Sequence, residues 1–554
     1  MRTKLRILWA FLAIVFLTDV AGWADENATR DRRHRQLIDQ RQKILTSYRD
    51  DLTAVAEWCE EHQQQEGQQQ MLSLIEQLAS EPEPADLSTV VTPPVDQSLP
   101  LDEQQWRLQL QHHRETRAAE LYTLARSSLR AGFPSLAFSI ISDVLRVDPD
   151  HKYGRSIMGK QKYVDPTRKD EPGYAGEWVS AFEKKMRGES RPQVNHPDFG
   201  WIPLTSVPRY EQGLRPWKGD WISVDKEAEL RRDFRNAWEV PSEHFLVKTN
   251  VSLEAGVELS RRLEVFHSWL QQNFAAFFDT PQSLQDRFEK ATDRSADRNM
   301  KPMEVHYYAT REEYQKRVFG KVPANLETNG LYWQPERTSY FYLNPERQDL
   351  TTLFHEATHQ ILDVNTTSDR LLAARARARK LKLRRIEDWV LCEHSNFWLI
   401  EGLACYFESF EIDENGKVSV GNPEYVRFDT ARQRLLDPSF YFYMPSLQFF
   451  ALGKDEFQSH PQVSPLYTQA SGYVHFLMHY EDGLYRDDLI QLLTAVYRPD
   501  AEKIIEEPSL TRMAGVSYDE LDRQYREHMQ NLDDLLHAGE PDPDQAGDRR
   551  PPRK

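Results

Sequence analysis

Only three cysteines, Cys59, Cys392 and Cys405, occur in 554 residues. That is too few for a disulfide-stapled scaffold. A bridge between Cys392 and Cys405 is compatible with export, one cysteine stays unpaired within the chain, and a buried inert thiol is the default for each. Basic charge is also scarce: 70 Lys and Arg face 87 Asp and Glu, for a net charge of -17. Phosphate binding needs a basic surface, so a general nucleic-acid binder is excluded. Long apolar runs are missing as well. The run Ile7–Leu17 falls short of the about 20 residues of an ordinary membrane span, and no other segment could cross a membrane. What is present is 39 % hydrophobic and 11 % aromatic residues, enough for real cores in roughly two to four domains.

Arg2, Lys4 and Arg6 precede that apolar run. Thr18, Asp19 and small residues up to Ala24 follow it, before the acidic Asp25-Glu26. This is the order of a secretory signal peptide, with Gly22 and Ala24 at the small positions before a cut. Residues 1–24 are read as that signal, with an uncleaved anchor as the alternative. Either way the body of the chain is exported: periplasmic, cell-surface or secreted. No cysteine follows the run, which argues against a bacterial-type lipid anchor.

Residues 25–80 read as a helical region and 81–105, with five prolines from Glu81 to Gln104, as a Pro-rich linker. Within 106–164, Ala125, Gly132, Ala137, Ile141, Val144 and Pro149 match the spacing of a tetratricopeptide unit. One unit is visible, so the reading is a repeat-like helical pair or an ordinary helical hairpin. Residues 165–242 form an irregular connector. From 243 the pattern turns to strand (His244–Val251), helix (Leu253–Phe278), strand (Met303–Ala309), helix (Arg311–Val318) and a hairpin (Gly330–Leu343) with Pro335–Arg337 in its turn. The rest to 537 is mainly helical. The tail, 538–554, reads as disordered. The predicted fold class is α+β.

Residues 350–362 read LTTLFHEATHQIL and contain His355-Glu356-Ala357-Thr358-His359. On a helix, positions i and i+4 share a face one turn apart, so both imidazoles can reach one Zn²⁺. Glu356, offset from that face, can reach a metal-bound water as general base. Leu350, Leu353, Ala357 and Ile361 give the helix a buried side, and Asp349 is its predicted N-cap. Catalytic zinc takes three protein ligands. The metzincin extension is absent, because Leu362 and Asn365 stand where its Gly and third His belong.

Residues 397–408 read FWLIEGLACYFE. With Trp398, Leu399, Glu401, Gly402, Ala404, Tyr406 and Glu408, they resemble the third-ligand helix of gluzincins, above all the aminopeptidase N-like pattern. The resemblance implies a thermolysin-like domain over 243–537, a small mixed sheet followed by a helical subdomain, with Glu401 as third zinc ligand. Gly402 would then allow close helix packing and Glu408 would orient a ligand. It also implies a strand edge at Gly330–Leu343 that binds substrate backbone. A tyrosine is implied as oxyanion donor: Tyr467 first, with Tyr473 and His475 as fallbacks. His475 and His479, although i, i+4, lack an intervening Glu and read as structural. Two features depart from the families. Between His359 and Glu401 lie 41 residues, and the Gly-x-Met-Glu-Asn motif of the aminopeptidases is missing. The intervening segment includes Arg370–Arg385, which reads as an inserted basic amphipathic helix, a solvated face or else a lid or contact for an acidic partner.

The sequence therefore predicts an exported zinc metallopeptidase acting on a peptide or protein substrate. Cell-wall amides are another substrate class open to the same chemistry. The alternative is a non-catalytic scaffold that holds a protein partner through the helical N-terminal region, its metal site structural or vestigial.

Overall fold

The computed structural model describes residues 2–537 except 79–89, 189, 291–300, 322–327, 345–350, 384, 387–388, 415 and 501–506, and only the backbone of 2–28. Asp349, Leu350, the 538–554 tail and the side chains of the predicted signal lie outside the described residues. Helix and small sheets are mixed, an α+β architecture.

Four helices, α1 (Arg2–Glu61), α2 (Gln65–Leu78), α3 (Leu101–Arg130) and α4 (Pro134–Val147), build the N-terminal region. Gly132, at φ +88°, makes the α3–α4 turn, a backbone state glycine adopts without steric cost. Ala125, Ala137, Ile141 and Val144 face inward from both helices. The region is not free-standing. Tyr122 Oη donates to Phe288 O at 2.7 Å, Ser135 N to Asp487 at 3.0 Å, and Arg30 pairs with Asp488 at 2.5 Å.

Two boundaries differ from the sequence reading. Helix α3 starts at Leu101, so the linker ends sooner, and Val91 N–H bonds Gly176 O at 3.0 Å. The connector holds ordered hairpins, including 193–203 and 214–223. Four residues near its end, β1 (Trp238–Pro241), already belong to the main sheet. Trp238 and Val240 are buried there. Pro241 is tolerated because β1 is an edge.

The main sheet adds β2 (Phe245–Thr249), β3 (Met303–Tyr308), β4 (Gly330–Trp333) and β5 (Thr338–Tyr342), in the order β4-β5-β3-β2-β1. The two inner pairs are parallel and the two outer pairs antiparallel. Phe245, Val247 and Thr249 alternate inward, as a half-buried strand requires. Helix α5 (Leu253–Asn273) and helix α6 (Thr351–Lys380) cover one face. Tyr308, Tyr314, Val318 and Tyr340 close the other.

Helix α6 carries the HExxH residues and runs unbroken for 30 residues. The basic stretch is thus no separate inserted helix but largely the same helix continued. Arg370 is buried on it and bonds Asp363, which also accepts from Tyr332 Oη at 2.6 Å and Gln334 Nε2 at 3.1 Å. Beyond come α7 (Phe397–Phe407), α8 (Val426–Leu436), α9 (Val463–His479), α10 (Arg486–Tyr497) and α11 (Tyr518–His537). Their apolar faces share one core with α5, α6 and the sheet. No helix among the described residues is long and apolar enough to cross a membrane.

Candidate metal centre

Helix α6 buries Leu353, Phe354, Ala357 and Ile361 against the core, which turns His355 and His359 to one cleft. Helix α7 begins at Asn396, whose left-handed backbone (φ +61°) is held by its N–H to Phe450 O at 2.8 Å and its side-chain amide to Pro508 O at 2.9 Å. Glu401 then stands opposite the two histidines. Gly402 follows, and a Cβ there would meet Ala470 O of α9 at 2.7 Å. Only glycine lets the two helices approach this closely.

His355 Nε2 and His359 Nε2 are 3.3 Å apart, and Glu401 Oε2 lies 3.7 Å from the first and 3.8 Å from the second. Donors held at about 2.0–2.2 Å around a tetrahedral Zn²⁺ sit about 3.3–3.6 Å from one another. The triangle fits such an ion, and all three side chains keep a little exposure toward the cleft, between 13 and 18 %. The residues also fit by their chemistry. Burial and the neighbouring His355 lower His359 to about 4, so it is a neutral donor, while burial raises the Glu401 carboxyl. A cation placed between them would favour the deprotonated carboxylate.

The other face of His355 is held as well. Its Nδ1 donates to Glu408 Oε1 at 2.9 Å, which turns Nε2 toward the cleft; against burial, the contacts with Cys405 and Glu408 raise the ring well above its ordinary value, so a metal there would displace the Nε2 proton. Arg427 clamps Glu408 from α8, Nε at 2.5 Å and Nη2 at 2.7 Å, and Tyr425 Oη donates at 3.2 Å. Burial alone would raise Glu408; its bonds to His355 and Arg427 hold it down at about 2. Cys405, one turn before Glu408, is buried beside His355.

Glu356 does not face the same way. Its Oε2 accepts the backbone N–H of Tyr332 on the edge strand β4 at 2.6 Å. The carboxylate thus ties the helix of the two histidines to the strand edge. Tyr467, on α9, is near enough to Glu401 and Cys405 that, after burial, their charges raise its phenol further above the ordinary value. The fallback donors are placed elsewhere. Tyr473 Oη bonds Tyr443 Oη at 2.8 Å and Asp522 at 2.9 Å, with its ring stacked on Tyr525. His475 is buried between His528 at 3.0 Å and Gly421 O at 3.0 Å. His479 meets Tyr406 Oη at 2.8 Å. Cys392 and Cys405 are both buried free thiols, so the bridge left open by the sequence is not formed.

The structure thus brings together His355, Glu356, His359, Glu401, Glu408 and Tyr467 and leaves Tyr473 and His475 in the core. Arg427, Tyr425 and the Tyr332 N–H went unread in the sequence. A backbone N–H has no sequence signature, and nothing near Arg427 marks it from other arginines. Comparison with protein-family models, curated proteins and solved structures finds no match, so the functional reading rests on the residues and their geometry.

Proposed function

We propose that this chain is an exported zinc-dependent hydrolase of the gluzincin type, a peptidase. The observation that carries the reading is the His355–His359–Glu401 triangle, with edges of 3.3, 3.7 and 3.8 Å. The edge strand, the two packed helices and the orienting carboxylate around it support a thermolysin-like arrangement of 243–537. The α3–α4 pair supports a tetratricopeptide-like hairpin.

His355, His359 and Glu401 would hold the ion, and Zn²⁺ there would supply an acidified water and a Lewis acid for a carbonyl. Glu408 keeps His355 in the tautomer that presents Nε2. Glu356 takes the proton of the attacking water and passes it to the leaving amine. The Tyr467 hydroxyl, kept protonated by its surroundings, donates to the oxygen that gains charge as the carbonyl is attacked. Strand β4 offers a backbone edge along which an extended peptide can align. An orienting carboxylate and a retained general base are more than a structural zinc needs, which favours an enzyme over a scaffold.

Elemental analysis of the purified chain beside Glu401→Ala tests the site. About one zinc per chain, lost or much weakened in the variant, is expected. A parent that takes up no zinc on reconstitution would overturn the reading. Glu356→Gln should keep zinc and lose turnover; a fully active Glu356→Gln would rule out the mechanism.

A further inference from the structure

The far end of α6 is built inside out. Surface helices of soluble proteins turn their large apolar residues inward and their polar residues outward. Here Ala373, Ala374 and Ala378 are the buried positions, whereas Leu371 is 49 % and Leu372 59 % exposed. The chain that follows repeats the pattern: Leu381, Leu383, Ile386 and Val390 are exposed too. The alanine side seats the helix on the protein, and the leucine side is left to solvent. Exposed apolar side chains gathered on one segment mark a contact surface rather than scattered surface residues.

The charge on the same segment is equally selective. Residues 371–386 hold seven Arg and Lys and no Asp or Glu, in a chain whose net charge is -17. Arg375, Arg379, Lys380, Lys382 and Arg385 are exposed among the leucines. Arg377 is turned aside to Glu393, at 3.3 Å. An acidic protein is repelled on average by an anionic surface, so a patch that is apolar and basic also favours one orientation of contact.

We propose that this segment is a docking surface for an anionic lipid bilayer. Leucine and isoleucine side chains would enter the headgroup boundary. The arginine and lysine stems would lie along the apolar surface with their charges among the lipid phosphates. A bilayer fits better than an acidic protein because the apolar groups are aliphatic and protrude from a helix end, where a membrane needs no complementary shape. Helix α6 is also the helix of His355 and His359, so docking would set the cleft at a fixed angle to the surface. The proposal does not depend on the metal centre.

The test uses the full chain sedimented with vesicles of phosphatidylglycerol and phosphatidylcholine or of phosphatidylcholine alone. Three proteins are compared: the parent, the ridge variant R375E/R379E/K382E, and a control of equal charge change at exposed residues of other elements, K226E/R235E/R261E. Circular dichroism melts establish that all three are folded. Each basic residue near an anionic surface is worth about a fivefold change in partitioning, so the ridge variant should lose at least about tenfold in affinity for anionic vesicles. The control should change much less. A second variant, L372S/L381S/I386S, should lose binding with the charge intact. Equal binding by the ridge variant and the control would overturn the proposal, since the basic N-terminus would then account for it. So would a parent that ignores anionic vesicles but binds a polyglutamate peptide, which would point to an acidic protein partner.

Discussion

Glu408 holds His355 from behind: its Oε1 accepts the Nδ1 proton at 2.9 Å, and Arg427 fixes the same carboxylate through two nitrogens. The proton on Nδ1 leaves Nε2 free to bind, and the arginine keeps the carboxylate from turning away. Partners of this kind are worth about 10–100-fold in metal affinity. Glu408→Ala should therefore weaken zinc binding by that factor in a chelator competition, while the far-ultraviolet spectrum stays that of the parent. Arg427→Met, which leaves the carboxylate but loosens it, should weaken zinc several-fold. Unchanged zinc affinity in Glu408→Ala would show that the contact does not orient the ligand.

The proposed role of Tyr467 as oxyanion donor separates binding from chemistry. Removing one donor to a developing oxyanion costs about 10²–10³ in kcat. Tyr467→Phe should therefore keep its zinc and nearly its KM on a fluorogenic peptide pool, and lose kcat by that factor. Tyr473→Phe breaks the Tyr443 and Asp522 contacts instead. It should lower the melting temperature and leave kcat per folded molecule alone. If Tyr473→Phe were the variant that lost turnover, the donor would be misassigned.

Gly402 binds stability to the site. Its absent side chain lies against the Ala470 carbonyl, 2.7 Å from where a Cβ would sit, and a backbone atom cannot swing away as a flexible side chain can. Overpacking of this kind costs roughly 1–3 kcal/mol. Gly402→Ala should unfold at lower denaturant and bind zinc more weakly, because Glu401 is the neighbouring residue. At Gly188 a Cβ meets nothing within 4 Å. Gly188→Ala should then be neutral or slightly stabilising, which makes it the control for the substitution itself.

That the candidate ligands His355 and His359 would share one face was legible because the constraint is local. A helix places i and i+4 on one face, so HExxH fixes two donors and a carboxylate before any tertiary structure is known. Glu401 was reached through the resemblance of its segment to the gluzincin third-ligand helix, even though 41 residues intervene, since sequence distance says nothing about distance across a cleft. The strands at 245–249 and 303–308 followed from alternation, and β4–β5 from its turn. Strand β1 was missed because its four residues follow a stretch too rich in Trp, Pro and charge to show a period. Arg370–Arg385 is not an inserted helix of its own for a related reason: a change from mixed to basic composition looks like a new element, yet nothing in Val364–Lys380 stops a helix. Arg427 and the Tyr332 N–H come into place only through packing of α8 and of the sheet edge.

Stability should fall on mild acidification, through histidines the fold keeps neutral. His475, mainly by burial and also by its neighbour His528, is lowered to about 3; His267, by burial and the nearby His244, to about 3; His528, by burial, to about 4. A histidine in the unfolded chain protonates near 6.5. Between that value and the lower folded one, the unfolded chain binds more protons than the folded chain. The stabilisation is therefore complete above about pH 6.5 and drains away as pH falls toward 3–4, at about 1.4 kcal/mol per pH unit for each such group. Asp487 acts the other way. Burial lifts it to about 6, so the fold takes up a proton there before the unfolded chain does, which offsets one histidine below pH 6. Between about pH 6.5 and 5 these three histidines, with His34 and His359 also lowered to about 4, mainly by burial, outweigh Asp487 and leave a net loss on acidification. Urea melts at pH 7 and pH 5 should show a lower midpoint at pH 5 with an unchanged slope. His528→Gln, which keeps an amide near His475 Nδ1 and cannot be protonated, should flatten that dependence. A midpoint that is the same at both values, or that rises at pH 5, would mean that these rings are charged in the folded protein.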